Sequence, residues 1–213
     1  MRTTSLLDGL INEIDSALRT LLPPQKRVPA RQSPSAAVED TKLSSREKQH
    51  IAGLMRVNHS GEVCAQALYQ GQALTAKLTH IKEQMAQAAE EEVDHLAWCE
   101  ERLSELNSSP SKLNPFWYAG SIVLGALAGF AGDKISLGFV AETERQVTSH
   151  LQKHIQEVPA VDKKTQLILK QMQLDEEQHA SMAMEAGATE LPYPVKQLMN
   201  IVSKLMTKSS YYI

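Results

Sequence analysis

Two stretches of the chain place a glutamate three residues ahead of a histidine: Glu92 and His95 in "EEEVDHLAWCEERL", and Glu176 and His179 in "DEEQHASMAMEAGA". Both stretches read as helix, where residues i and i+3 lie on one face about one turn apart, so each carboxylate and imidazole can converge on one metal ion. A single Glu-x-x-His is weak evidence, because solvent-exposed pairs of this kind are common in Glu-rich helices. The neighbours decide. Leu169, Met172, Glu176, His179 and Ala183 share one helical stripe, and Met85, Ala88, Glu92, His95, Cys99 and Leu103 share another. Ionised carboxylates on a core-facing stripe are costly unless they are paired or bind metal. A solvated charged face does not predict apolar residues above and below each pair.

A paired-metal site in a helical bundle takes one further glutamate from each of two other helices. The segment "RVNHSGEVCAQALYQGQ" offers Glu62, on a stripe with Met55, Ala65 and Tyr69. The segment "GFVAETERQVTSHL" offers Glu142 and Glu144. Val140, Glu144, Val147 and Leu151 share a face, whereas Glu142 sits about 200° around the axis at about 100° per residue. Glu144 is therefore expected to point inward and Glu142 outward or behind a ligand. Spacing supports the set independently: Glu92 follows Glu62 by 30 residues, and Glu176 follows Glu144 by 32. The chain reads as two half-sites, each a Glu helix followed by a Glu-x-x-His helix. Four carboxylates would balance two divalent cations, and without metal they would repel one another and partly protonate. Oxygen-rich donors with two imidazoles and no thiolate select iron or manganese over structural zinc.

The elements that must position these residues are helices. Abundant Ala, Leu, Gln, Glu and Lys, with 5% aromatic residues and no period-two pattern, argue against strands. Residues 1–22 carry an amphipathic helix from about residue 5, with Leu6, Leu7, Leu10, Ile11, Ile14, Leu18 and Leu21 at helical spacing. Residues 23–45 hold four of the nine prolines and are expected to be a flexible linker. Helical segments at 46–77, 80–107, 119–155 and 162–187 then form a four-helix bundle over residues 46–190. A last amphipathic helix, 194–208, lies within a C-terminal segment, 191–213. Length and composition suit one core-bearing domain, and a formal charge of −3 gives no electrostatic reason to expect a nucleic-acid partner. Cys64 and Cys99 suit a reducing compartment, as small buried apolar residues. Asp8, Glu13 and Asp15 interrupt any secretory or transit-type N-terminal signal.

Together, "RVNHSGE", "EEVDH", "AETERQVTSH" and "DEEQH", in this order and spacing, resemble the demethoxyubiquinone hydroxylases, also called 3-demethoxyubiquinol 3-hydroxylases. The match covers roughly residues 46–213; the helix and Pro-rich segment at 1–45 is absent from short members of that family. The resemblance implies a ferritin-like, all-α fold and two iron ions, Fe2+ in the reduced state. The ligands it implies are Glu62, Glu92, His95, Glu144, Glu176 and His179, the set that the stripes select. It further implies O2-dependent hydroxylation of 2-polyprenyl-3-methyl-6-methoxy-1,4-benzoquinol in ubiquinone biosynthesis. The reducing equivalents come from outside, with NADH acting through the quinone as a candidate. Expected partners are the polyprenyl quinol, a membrane surface and other ubiquinone-biosynthesis proteins. The expected location is peripheral, on the cytoplasmic face of a bacterial inner membrane. Two rival readings are an iron-storage or ferroxidase protein of the same bundle type and a non-catalytic helical scaffold.

Other residues carry weaker signals. The 17-residue apolar run 116–132 is shorter than the roughly 20 residues of a transmembrane helix. It is read as the apolar start of the Glu144 helix, with a face offered to lipid. In 194–208, Val195, Leu198, Val202 and Leu205 form a stripe flanked by Lys196, Lys204 and Lys208, suited to packing on the bundle or lying on a membrane. His59, His150 and Asp175 are candidates to orient a ligand, and Glu91 has the same option, with surface placement as its plainer reading. Tyr69 reads as core.

Overall fold

The computed structural model describes residues 6–22 and 26–213. Residues 1–5 and 23–25, which fall in the expected terminal helix segment and linker, lie outside the described residues. Seven helices follow in order: α1 (Leu6–Leu21), α2 (Ser45–Thr75), α3 (Thr79–Glu105), α4 (Asn114–Ala131), α5 (Asp133–Glu157), α6 (Lys163–Glu185) and α7 (Tyr193–Ser210). No strand occurs among the described residues. Local signals set several starts. Ser44 and Glu47 form a capping box at the head of α2, each side chain accepting the other's backbone N–H. Asp162 caps α6 by accepting the N–H of Thr165 at 3.1 Å.

The bundle consists of two hairpins, α2 with α3 and α5 with α6, packed against each other. Their shared interior has two apolar layers. One holds Met55, Trp98, Cys99, Leu103, Leu151, Leu169 and Met172, and the other holds Ala65, Tyr69, Ala88, Val140, Ala141 and Ala183. On each of these four helices the gap between the layers contains an acid: Glu62 on α2, Glu92 on α3, Glu144 on α5 and Glu176 on α6.

The expected single helix over 119–155 is in fact two. Gly132, at φ 118° and ψ 152°, ends α4 and turns the chain into α5. That positive φ is open to glycine and strained for other residues. Asp133 then fixes the corner, accepting the N–H groups of Lys77 and Leu78 at 3.0 Å each, ahead of α3. The apolar run is therefore not the start of the Glu144 helix but a separate helix lying along α2. The approach is close: a Cβ on Gly125 would collide with the Leu68 carbonyl. The far side of α4 leaves Phe116, Val123, Leu127 and Phe130 more than half exposed. No helix among the described residues is long and apolar enough to cross a membrane.

The 26–44 segment carries no helix, and it is not free of the bundle. Arg27 pairs with Glu100 at 3.1 Å, Arg31 with Asp94 at 2.7 Å and Asp40 with Arg102 at 3.1 Å, which lays the segment as a strap along α3. Its composition resembles a linker because polar contacts and ion pairs, rather than an apolar stripe, hold it to the bundle.

The α2–α4 contact yields a paired test. Gly125→Ala should lower the melting temperature, with a destabilisation on the order of 1–3 kcal/mol from overpacking against backbone. Gly120→Ala, where a Cβ meets nothing within 4 Å, should be neutral or stabilising by up to about 1 kcal/mol. Equal melting shifts for the two variants would contradict the close helix approach.

Candidate metal centre

The six residues that share the inward stripes come to one place. Glu62, Glu92, His95, Glu144, Glu176 and His179 are all 3% exposed or less. One ligand atom from each of Glu62, Glu92, His95 and Glu176 lies within 4.8 Å of the others. His95 Nδ1 is 3.1 Å from Glu92, 3.1 Å from Glu176 and 3.6 Å from Glu62. His179 Nδ1 is 3.1 Å from Glu176 and 3.4 Å from Glu92. Glu144 enters from α5, with its Oε1 accepting the Tyr69 hydroxyl. Glu142 lies off this centre, beside Gln146, Arg145 and Lys196.

The imidazoles are held from behind by a crossed pair of acids. His95 of α3 turns its Nε2 to Asp175 of α6 at 2.9 Å, and His179 of α6 turns its Nε2 to Glu91 of α3 at 2.7 Å. Each of these acids directly precedes the central glutamate of its own helix. The exchange leaves both Nδ1 atoms facing the carboxylates. Asp175 thus has the position weighed for it in the sequence, and Glu91 is half-buried against an imidazole although surface placement was its plainer reading. His59 instead sets its ring between Glu100 at 3.2 Å and Asn114 at 3.1 Å. His150 meets Ser203 of α7 at 3.1 Å. Neither histidine is held against the six-residue cluster, because each spends its hydrogen bonds on a neighbouring helix. Tyr69 was read as core; it is core and also the hydrogen-bond donor to Glu144. Its position seven residues after Glu62, on the same stripe, is the signal that could have marked it.

Burial and mutual charge divide the acids. Burial, then the charges of Glu92 and Glu176, push Glu62 well above the ordinary carboxylate range, against a hydrogen bond from His95. Burial and the charges of Glu176 and Glu92 do the same to Glu144. Burial also opposes ionisation of Glu92, but the His95 charge and hydrogen bonds from both imidazoles outweigh it and hold this carboxyl well below the ordinary value. Desolvation disfavours charge on the imidazoles, yet their carboxylate partners prevail: His95 is raised well above the usual value, and His179 is pushed up to about 12.

The donor set fits a pair of metal ions on one further observation. Glu62 Oε1 and Glu144 Oε2 are buried with no hydrogen-bond partner, and Glu92 Oε1 and Glu176 Oε1 are buried facing only imidazole nitrogens, His179 Nδ1 at 3.4 Å and His95 Nδ1 at 3.1 Å. An unpartnered buried carboxylate oxygen is expensive, and two of them beside two more that meet only the inward imidazole nitrogens form a cradle for cations.

The family model described as "Ubiquinone biosynthesis protein COQ7" matches residues 49–210. The chain belongs to this family. Among curated relatives, 3-demethoxyubiquinol 3-hydroxylase of Legionella pneumophila is 75% identical over 213 residues, covering 100% of both chains. The Acinetobacter baumannii protein of the same name is 60% identical, again over 100% of both. Among solved structures, a dodecameric thioferritin, the bacterioferritin-related protein of Bacteroides fragilis, aligns with TM-score 0.55 at 20% identity, covering 68% of this chain and 86% of that one. That likeness shows the ferritin-like fold alone. All six clustered residues fall inside the family-matched region, and the buried Glu/His cluster is compatible with a di-iron site.

The charge balance sets a pH dependence for metal-free protein. Glu62 and Glu144, raised in the fold, lose stabilising power as pH climbs above the ordinary carboxylate value. The raised imidazoles contribute fully below about 6.5 and lose their contribution as pH rises towards the folded value, about 12 for His179. Both effects have the same sign. Melting of metal-free protein should therefore fall steadily from pH 7 to pH 9, and iron loading should flatten the slope. A metal-free melting temperature that rises over that window would contradict the assigned protonation.

Proposed function

We propose that this chain is a di-iron monooxygenase that hydroxylates the ring of a 2-polyprenyl-3-methyl-6-methoxy-1,4-benzoquinol, using O2, in ubiquinone biosynthesis. The observation that carries the site is the set of four buried carboxylates around two inward-facing imidazoles, with Glu62 Oε1 and Glu144 Oε2 lacking any hydrogen-bond partner. The reaction and substrate are supported by family membership and by full-length relatives at 75% and 60% identity. Two iron ions would be held by Glu62, Glu92, His95, Glu144, Glu176 and His179, and bound iron would supply the activation of O2.

The chain's own residues do the rest. Asp175 and Glu91 fix the imidazoles so that Nδ1 faces the centre. The apolar layers on either side keep water from the acids. A cavity of about 120 Å³ opens beside His179, between Tyr69, Leu137, Val140, Met182 and Ala183. Its apolar lining suits an aromatic quinol ring, and its open side suits the isoprenoid tail. In this reading the reducing equivalents come from an external donor, with NADH acting through the quinone as the candidate.

A polyprenyl substrate resides in a bilayer, and the proposed location is peripheral, on the cytoplasmic face of an inner membrane. Exposed apolar residues on α4 and α7 support this, including Phe130 at 72% and Leu198, Ile201 and Leu205 at 62% each, with Lys204 and Lys208 nearby. Other ubiquinone-biosynthesis proteins remain proposed partners.

Single-turnover oxidation tests the reaction. Reduced, iron-loaded protein given O2 and a demethoxyquinol should yield product heavier by one oxygen atom; iron oxidation with unmodified quinol would favour a ferroxidase. Glu144→Ala should abolish turnover, and Glu142→Ala should retain most of it; the opposite ranking would contradict the register of α5. In flotation with vesicles of anionic lipid, Leu198→Glu combined with Leu205→Glu should reduce binding at least tenfold, and unchanged flotation would contradict α7 as a membrane contact.

A further inference from the structure

The two halves of the centre repeat each other out to the acids behind the imidazoles and to the glutamine four residues before each acid, and they part at a single cation. Behind His179, Glu91 takes its other hydrogen bond from Gln87 at 3.2 Å, and no cation pairs with it among the described residues. Behind His95, Asp175 has the same two partners and a cation besides. Its Oδ1 accepts from Gln171 at 2.9 Å, and its Oδ2 receives both His95 Nε2 at 2.9 Å and Arg31 Nη1 at 3.0 Å.

Arg31 comes from the strap, ahead of residue 49 where the family match begins. It is held by both its side chain and its backbone. Its Nε donates to Asp94 Oδ2 at 2.7 Å, and the backbone N–H of Ala30 donates to the same carboxylate at 2.6 Å. Its carbonyl accepts from Trp98 Nε1 at 3.2 Å, and its guanidinium lies 5.1 Å from the Trp98 ring centre. Trp98 in turn stands 5.4 Å from the His95 ring. Asp94 and Trp98 are themselves buried, so the guanidinium docks onto a rigid floor although its side chain is 42% exposed.

We propose that Arg31 is a positioning residue for the His95 half of the metal centre, acting through Asp175, and that it makes the two metal positions unequal. A planar guanidinium can bridge two carboxylates in fixed geometry, as it does here between α3 and α6. It anchors Asp175, Asp175 sets the ring of His95, and the ring aims Nδ1 at the centre. Groups behind a metal-bound imidazole commonly control affinity by 10–100-fold. The proposal rests on the metal reading above and extends it to a residue outside the family-matched region.

The test uses the full-length, iron-loaded chain under anaerobic, reducing conditions, with iron release to a coloured ferrous chelator followed in time. Arg31→Gln should speed release of one of two irons by roughly tenfold, the lower end of that range, and leave the other at the wild-type rate. Asp40→Asn, which frees the strap at Arg102 away from the centre, should release iron as wild type does. In an Asp175→Asn background, Arg31→Gln should add less than about twofold, because its route is already cut. The ligand-field absorption of Co(II)-loaded protein should shift in Arg31→Gln and stay fixed in Asp40→Asn. If Arg31→Gln does not fold, Arg31→Met, which keeps an unbranched apolar side chain over Trp98, carries the same comparison. Wild-type release from the Arg31 variant, equal loosening by Asp40→Asn, or an undiminished effect in the Asp175→Asn background would each overturn the proposal. A wild-type chain that holds no iron would overturn the metal reading as well, whereas two irons released alike by all variants would overturn the role of Arg31 alone.

Discussion

Four carboxylates enclosed between apolar layers are the constraint on which the rest of the fold depends. Glu62, Glu92, Glu144 and Glu176 are each at most 2% exposed, and in that setting they cannot all be ionised without cations among them. Protein charge covers only part of the deficit. His95 and His179 are held protonated by their neighbours and keep Glu92 ionised, while Glu62 and Glu144 are driven towards the neutral form. The unpartnered oxygens mark what the protein leaves unbalanced. Two divalent cations would neutralise the four acids and restore both imidazoles to neutral donors. The bundle is thus a scaffold strained in charge, which bound metal would relax.

The surrounding elements divide the work. The two hairpins provide rigid walls, with core layers on both sides of the acids. Helix α4 packs backbone-to-backbone along α2 and keeps its outer face apolar, so it supports the Glu62 helix while leaving Phe116 and Phe130 exposed. Helix α7 anchors its end on α2, where Arg56 donates to the Tyr211 carbonyl at 2.7 Å, and exposes a separate apolar stripe. The strap closes over α3 and carries a cation to the back of the site.

What the sequence made legible follows from period. A residue on an apolar stripe with acids at its centre declares its direction, and this separates Glu144 from Glu142 and draws the six buried residues together. Most helix ends were readable to within about two residues, as near Pro159, but the start of α4, expected at residue 119, lies at Asn114 beside Pro115. The break at Gly132 was hidden because the apolar run ends on the glycine itself and the pattern resumes at once, so one long helix fitted equally well. His59 and His150 were misplaced for a different reason: proximity in sequence to Glu62 and Glu144 says nothing about which neighbouring helix supplies a partner. Arg31 had no local signal at all. Its role comes from Asp94 and Asp175, 63 and 144 positions further along the chain, and only tertiary packing joins them.

The central claim is that six side chains from two hairpins hold a pair of iron ions. Diffraction data collected at the iron absorption edge, on protein purified without chelator, test it most directly. The account predicts two anomalous peaks inside the bundle, one beside His95 and the other beside His179, with the four glutamates around them. A single peak, no peak, or iron bound away from these residues would contradict it.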